Sequence, residues 1–179
     1  MNVQKALQML IQRSPKERAL LLNRFAMGFD AVLNVQFSSV GSDEVIATLI
    51  VEEKHTQPYG LVHGGVYCSL AESIASVGGT VALMSKEMLA VGAENRMRFL
   101  RAARVGEVLT AKASHLQTSG RILTWAVDVF DAKGNVCARG EVDIAALRAE
   151  QSVAGQQLSL TKPLPLDELK EDKSSTREA

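Results

Sequence analysis

One carboxylate, Glu72, and one imidazole, His63, stand in a stretch of otherwise mostly apolar or small residues from Gln57 to Thr80, QPYGLVHGGVYCSLAESIASVGGT. Such a pair beside a glycine turn suits attack on a carbonyl: the carboxylate acts as nucleophile or general base, and unpaired helix amides hold the oxyanion. The breakers in Gln57-Pro58-Tyr59-Gly60 and the apolar run after His63-Gly64-Gly65 predict a helix from Gly64 or Gly65 to about Ser85 or Lys86. Its first-turn N–H groups lack helical acceptors and carry partial positive charge, and glycine there lets a ligand approach the backbone. Val66, Leu70, Ile74, Val77 and Val81 give this helix a face for a core, while Gly65, Ser69, Glu72, Ser76 and Gly79 line the opposite side. Glu72 follows Gly65 by about two turns, and Ser76, one turn later, can hydrogen-bond its carboxylate or a water.

An isolated Glu on a helix is ordinarily a solvated charge. Here it is the sole charged residue from Val66 to Met84, where an exposed face would carry several. His63 reads equally as a functional group or as a structural imidazole bonded to a nearby carbonyl. Cys68, inside the helix, reads as a small core residue.

Gln57, His63-Gly64-Gly65, Glu72 and Ser76, followed by a β-rich second half, resemble the hotdog-fold acyl-CoA thioesterases of the phenylacetic-acid-degradation and 4-hydroxybenzoyl-CoA thioesterase type. The resemblance covers about residues 30 to 147. It implies an α+β domain in which a long central helix is wrapped by an antiparallel sheet, with active sites built across a dimer interface. It also implies Glu72 as nucleophile or general base and the Gly65 amide as donor to the thioester carbonyl. Gln57, His63 and Ser76 would orient substrate or water, with Gly64 among the substrate contacts. Gly120-Arg121 would touch coenzyme A, which is part of the substrate, so no separate cofactor is expected. Arg98 is a further candidate for its phosphates. Family members often carry polar or histidine residues late in the third strand, where this chain has Phe99 and Leu100; that difference points to an apolar acyl group.

Twenty Lys and Arg balance twenty Asp and Glu, so there is no global drive toward nucleic acid or an anionic membrane. Two cysteines, far apart, fit reduced thiols and a cytoplasmic location. No basic leader precedes an apolar core, and no apolar run approaches the length of a membrane span. G-x-S-x-G, Walker-type and G-x-G-x-x-G patterns are absent, and three histidines without H-E-x-x-H or a Cys/His cluster make a metal improbable.

The 179 residues divide into a helical extension over residues 1–29, the hotdog domain over 30–149 and a charge-dense tail over 150–179. Residues 2–13 suit a short amphipathic helix. Ser14 as N-cap, Pro15 and Glu17 open a second helix, expected to reach Met27 and stop at Gly28. Ala31 to Val40 and Glu44 to Glu52 read as strands about the Gly41-Ser42-Asp43 turn. Four more follow the central helix: Met88 to Leu100, Glu107 to Gln117, Arg121 to Asp131 and Val136 to Leu147. Leu123, Trp125, Val127 and Val129 share one face, and Arg96 and Arg98 share one of theirs. His55 reads as an ordinary loop residue. The small-residue side of the helix suits a second subunit, giving a homodimer or a tetramer of two dimers. Two other functions fit the same residues: a non-catalytic acyl-CoA binder, or a dehydratase or hydratase working through Glu72 and His63.

Overall fold

The computed structural model describes residues 10–86 and 88–148, together with the backbone pairing of Ser152–Val153 with Gln156–Gln157. Most of the helix expected over residues 2–13, and the tail beyond residue 150 apart from that pairing, lie outside the described residues.

Strands β1 (Gln36–Val40), β2 (Glu44–Ile50), β3 (Met88–Phe99), β4 (Val108–Ser119), β5 (Ile122–Phe130) and β6 (Val136–Arg148) form one sheet in the order β1-β2-β4-β5-β6-β3. Every neighbouring pair is antiparallel. Alternation sends Val45, Ala47 and Leu49 of β2 inward, with Leu109, Ala111 and Ala113 of β4 and Val142, Ile144 and Ala146 of β6. Leu123, Trp125, Val127 and Val129 of β5 are buried on that same face, as their spacing predicts.

The long helix, Gly64–Leu83, lies across this inner face and continues as a 3-10 turn over Met84–Lys86. Its buried line runs through Val66, Leu70 and Ile74 with Ala71, Ala75, Gly78 and Gly79 beside them. Gly79, expected on the polar side, packs on the core instead, because a Cβ there would stand 2.9 Å from Ile144 Cγ2. At Gly78 a Cβ would enter the Trp125 indole, so this glycine pair lets the backbone lie directly on β5 and β6. By length and composition the segment Gly64–Lys86 does reach that of a membrane span, contrary to the expectation from sequence, but half of its most apolar stretch is buried inside the molecule.

Helix α1 (Pro15–Arg24) begins as predicted: Glu17 N–H donates to Ser14 Oγ and Ser14 N–H to Glu17 Oε2, at 3.3 and 2.7 Å. It closes at Arg24, short of Met27. On it, Asn23 covers the free edge of β1 by giving Nδ2 to Phe37 O and taking the Phe37 N–H on Oδ1.

The expected strand from Ala31 is a short helix instead, α2 (Gly28–Leu33), and β1 starts only at Gln36. Gly28 at φ 63° turns the chain into α2, left-handed Asn34 at φ 59° ends it, and Asp30 accepts a hydrogen bond from Ser73 on the long helix. These tertiary contacts override the strand propensity of Val32. In chain order the long helix, Gly64–Leu83, is α3.

Candidate functional site

The carboxylate of Glu72 is half-buried between α3 and the edge strand β3. Ser76 Oγ donates to Oε1 at 3.2 Å, as its position one turn on predicts. Asn95 Nδ2 donates to Oε2 at 3.0 Å, and to the Cys68 carbonyl at 3.0 Å. Gly92 opposes the carboxylate; a Cβ there would fall 2.1 Å from Glu72 Oε1. Sequence reasoning missed both Asn95 and Gly92. A one-residue irregularity hides Asn95: Gly92 pairs with Ile144 but Glu94 pairs with Asp143, leaving Ala93 as a bulge.

Glu72 lines a cleft of about 570 Å³ with Phe29, Asp30, Ser69 and Asn95, and no Lys or Arg is among its lining residues. Burial pushes the Cys68 thiol up, so it stays a neutral thiol, as befits a packing residue.

His63 caps α3, its Nδ1 accepting the Gly65 N–H at 2.9 Å. The Gly65 amide, which the resemblance assigns to the thioester carbonyl, therefore already has an acceptor. The preceding amide, Gly64 N–H, has no acceptor among the described residues. Over Gly64 lies the Phe99 ring, stacked on Tyr67 at 5.9 Å between centroids.

Gln57 sits in the loop before the helix. Its Oε1 accepts from Tyr59 OH, and its backbone closes a turn with Gly60 and Leu61. His63 and Gly65 line a second cleft, of about 370 Å³, with Val32, Leu33 and Val66 on its apolar side. The two clefts share Phe29 and Ser69. Between Gly64 and Glu72 the helix rises about 12 Å, eight residues at about 1.5 Å each. One carbonyl cannot lie within hydrogen-bond reach of both in a single chain.

The coenzyme A contacts expected from the sequence are also divided. Phe99 and Arg98 lie at the helix-start end of β3, and Arg98 shares the outer face with Arg96, which binds Glu94 and Glu141. The Gly120-Arg121 turn lies at the opposite end of the sheet, since its flanking Ile122 pairs with Ala145 and Ala145 with Val91.

His55 is far from an ordinary loop residue. It is 1% exposed, its Nδ1 accepts the Glu52 N–H at 3.0 Å and its carbonyl accepts the His63 N–H at 2.9 Å. Burial, then the Lys54 charge, push its imidazole below the ordinary histidine value. The unfolded chain therefore binds a proton near pH 6.5 that the folded chain refuses. His55 contributes stability that is present above that pH and is lost as pH falls below it. Thermal unfolding from about pH 6.5 to 5 should show this loss, no steeper than about 1.4 kcal/mol per pH unit, and His55→Gln should flatten it. Equal slopes for the two proteins would contradict the assignment. Glu17, Glu52 and Asp131, whose carboxyls are held low by hydrogen bonds, act in a more acidic window.

The family model described as thioesterase superfamily matches residues 59–138. The chain is 35% identical over 116 residues to the 1,4-dihydroxy-2-naphthoyl-CoA hydrolase of Escherichia coli (strain K12), covering 64% of this chain and 83% of that one. Among solved structures it is similar to AziG of S. sahachiroi, at 32% identity and TM-score 0.65, covering 68% of this chain and 98% of that one. A thioesterase from Haemophilus influenzae is 25% identical with TM-score 0.68, covering 78% and 94% of the two chains.

Proposed function

The chain belongs to the thioesterase superfamily and is a thioester hydrolase of the hotdog fold, and we propose that it hydrolyses acyl-CoA thioesters at a site that Glu72 of one copy forms with the Gly64 amide of another. The carrying observation is the half-buried carboxylate, aimed into a cleft by neutral donors yet about 12 Å along the helix from the first free amide.

A two-fold axis resolves that distance. In the described sheet β3 is an edge strand with one side unpaired. Pairing it antiparallel with its copy, about an axis beside Cys68 and Asn95, reverses the second helix over the first. Cys68 lies midway between Gly64 and Glu72, so each Glu72 then meets the other copy's Gly64. The same axis carries the second copy's Gly120-Arg121 turn to the end of the sheet where Gly64 and Phe99 lie, within range of a long coenzyme A tail.

Thioester oxygen accepts from Gly64 N–H, which is free where Gly65 N–H is held by His63. Acting as base, Glu72 takes a proton from water as the water oxygen attacks the carbonyl carbon. The tetrahedral intermediate then expels the thiolate, which takes up that proton. Acting as nucleophile, Glu72 attacks the same carbon, the C–S bond breaks to release coenzyme A thiolate, and water opens the acyl anhydride to the free acid and the Glu72 carboxylate. Phe29, Val32 and Val66 give the acyl group an apolar wall, and the naphthoyl substrate named for the E. coli relative supports an aromatic one.

Thiol release from aromatic, short-chain and long-chain acyl-CoAs tests the reading. Turnover is expected, fastest with the aromatic thioester. Saturable binding without thiol release across the panel would contradict it.

A further inference from the structure

Residues 88, 90 and 92 of β3 face the helix, and without an interruption Glu94 and Arg96 would follow them inward. The bulge at Ala93 changes the parity. Arg96 turns to the outer face, where it pairs with Glu94, Glu141 and Asp143, while Asn95 joins Gly92 on the inside. The local irregularity thus turns two charges away from the helix and brings Asn95 and Met97 to it, beside the space that Gly92 leaves for a carboxylate oxygen.

Both hydrogens of Asn95 Nδ2 are committed, to Glu72 Oε2 and to the Cys68 carbonyl one helical turn earlier. Both partners are acceptors, which fixes the amide orientation; turned over, Oδ1 would face them. The consequence is an unfavourable one for folding. Asn95 Oδ1 is buried and has no donor, a state that native structures ordinarily avoid. An apolar side chain of the same size would remove that defect. The position keeps an asparagine whose donor side serves the carboxylate and whose acceptor side is unsatisfied.

We propose that Asn95 is a positioning residue for thioester hydrolysis, holding the Glu72 carboxylate at the orientation from which it reaches the thioester carbonyl or its attacking water. This rests on the function assigned above to Glu72. Asn95 acts through the Glu72 carboxylate that its Nδ2 holds, with no proton or bond of its own to give the substrate. Its loss should therefore act on turnover and leave binding nearly intact.

The test compares purified Asn95→Leu, Asn95→Asp and Glu72→Ala with the parent chain, by thiol release from the best acyl-CoA and by thermal unfolding. Asn95→Leu is expected to lower kcat by about 10²-fold, the scale of a misplaced reacting group, with KM within about 3-fold. It should unfold at the same temperature or higher, since the unsatisfied Oδ1 is gone. Asn95→Asp keeps the shape, removes both N–H donors and sets a second carboxylate against Oε2, so its kcat should fall at least as far. A kcat within about 3-fold of the parent in either variant, or an activity loss that only tracks loss of folded protein, overturns the proposal. If Glu72→Ala is inactive in that outcome, the reading of Glu72 survives alone. Turnover by Glu72→Ala overturns both.

Discussion

Glu72→Ala should release thiol from acyl-CoA at least about 10³-fold more slowly than the parent chain, within the range by which a general base accelerates such reactions. It should do so without loss of fold. The Glu72 carboxylate shares its cleft with Asp30, no Lys or Arg lines it, and it packs where Gly92 leaves only enough room. Truncation relieves that crowding and leaves Ser76 Oγ and Asn95 Nδ2 facing the cleft, where water reaches them. The unfolding temperature is accordingly expected to hold or rise, the usual behaviour when a functional charge is removed. Steady-state kinetics and a thermal melt on one preparation check both halves. Residual activity above about a tenth of the parent would move the base elsewhere.

Gly64→Pro should be nearly as damaging, and for a reason confined to one hydrogen atom. Gly64 is the first helical residue, a position that proline's fixed φ and missing N–H both suit. The preceding His63, at φ −68° and ψ 135°, already has the extended backbone that precedes proline. The added ring meets Phe99, which is 53% exposed and can swing aside. What is lost is the amide free to hold the oxyanion, and removing one such donor costs about 10²–10³ in kcat. The comparison with Gly65→Ala separates the two glycines: its Cβ would press on His63 Nδ1 but its N–H remains. A Gly64→Pro enzyme with full kcat would return the oxyanion to Gly65.

Most of the fold was legible because the signals were local. Ser14, Pro15 and Glu17 specify a helix start through their own hydrogen bonds, and the alternation from Leu123 to Val129 specifies a buried face. The Ala31–Val40 segment failed because its helix depends on Asp30 reaching Ser73, forty-three residues away in sequence. In the site, Glu72, Ser76 and His63 lie on or cap one helix, where spacing translates into neighbourhood. Asn95 reaches that helix only through a bulge, and a single extra residue inverts every inward assignment after it. Gly64 and Gly65 could not be told apart from sequence, because the choice turns on which amide His63 Nδ1 occupies. His55 carried no signal at all: its burial comes from the fold of the loop over it, stapled by Thr56 pairing with Val62 and Leu61 with Arg104.

The composite site proposed above makes a demand that no single variant meets. Co-expression of Glu72→Ala and Gly64→Pro chains under two different tags, followed by purification through both, yields mixed dimers in which every chain carries a defect. With Glu72 of one copy serving the other copy's Gly64, one site in each mixed dimer has both defects and the other has none, so about half the parental rate per dimer should return. Mixed dimers as inactive as either parent variant would show that each site is built within one chain, and would contradict the shared site directly.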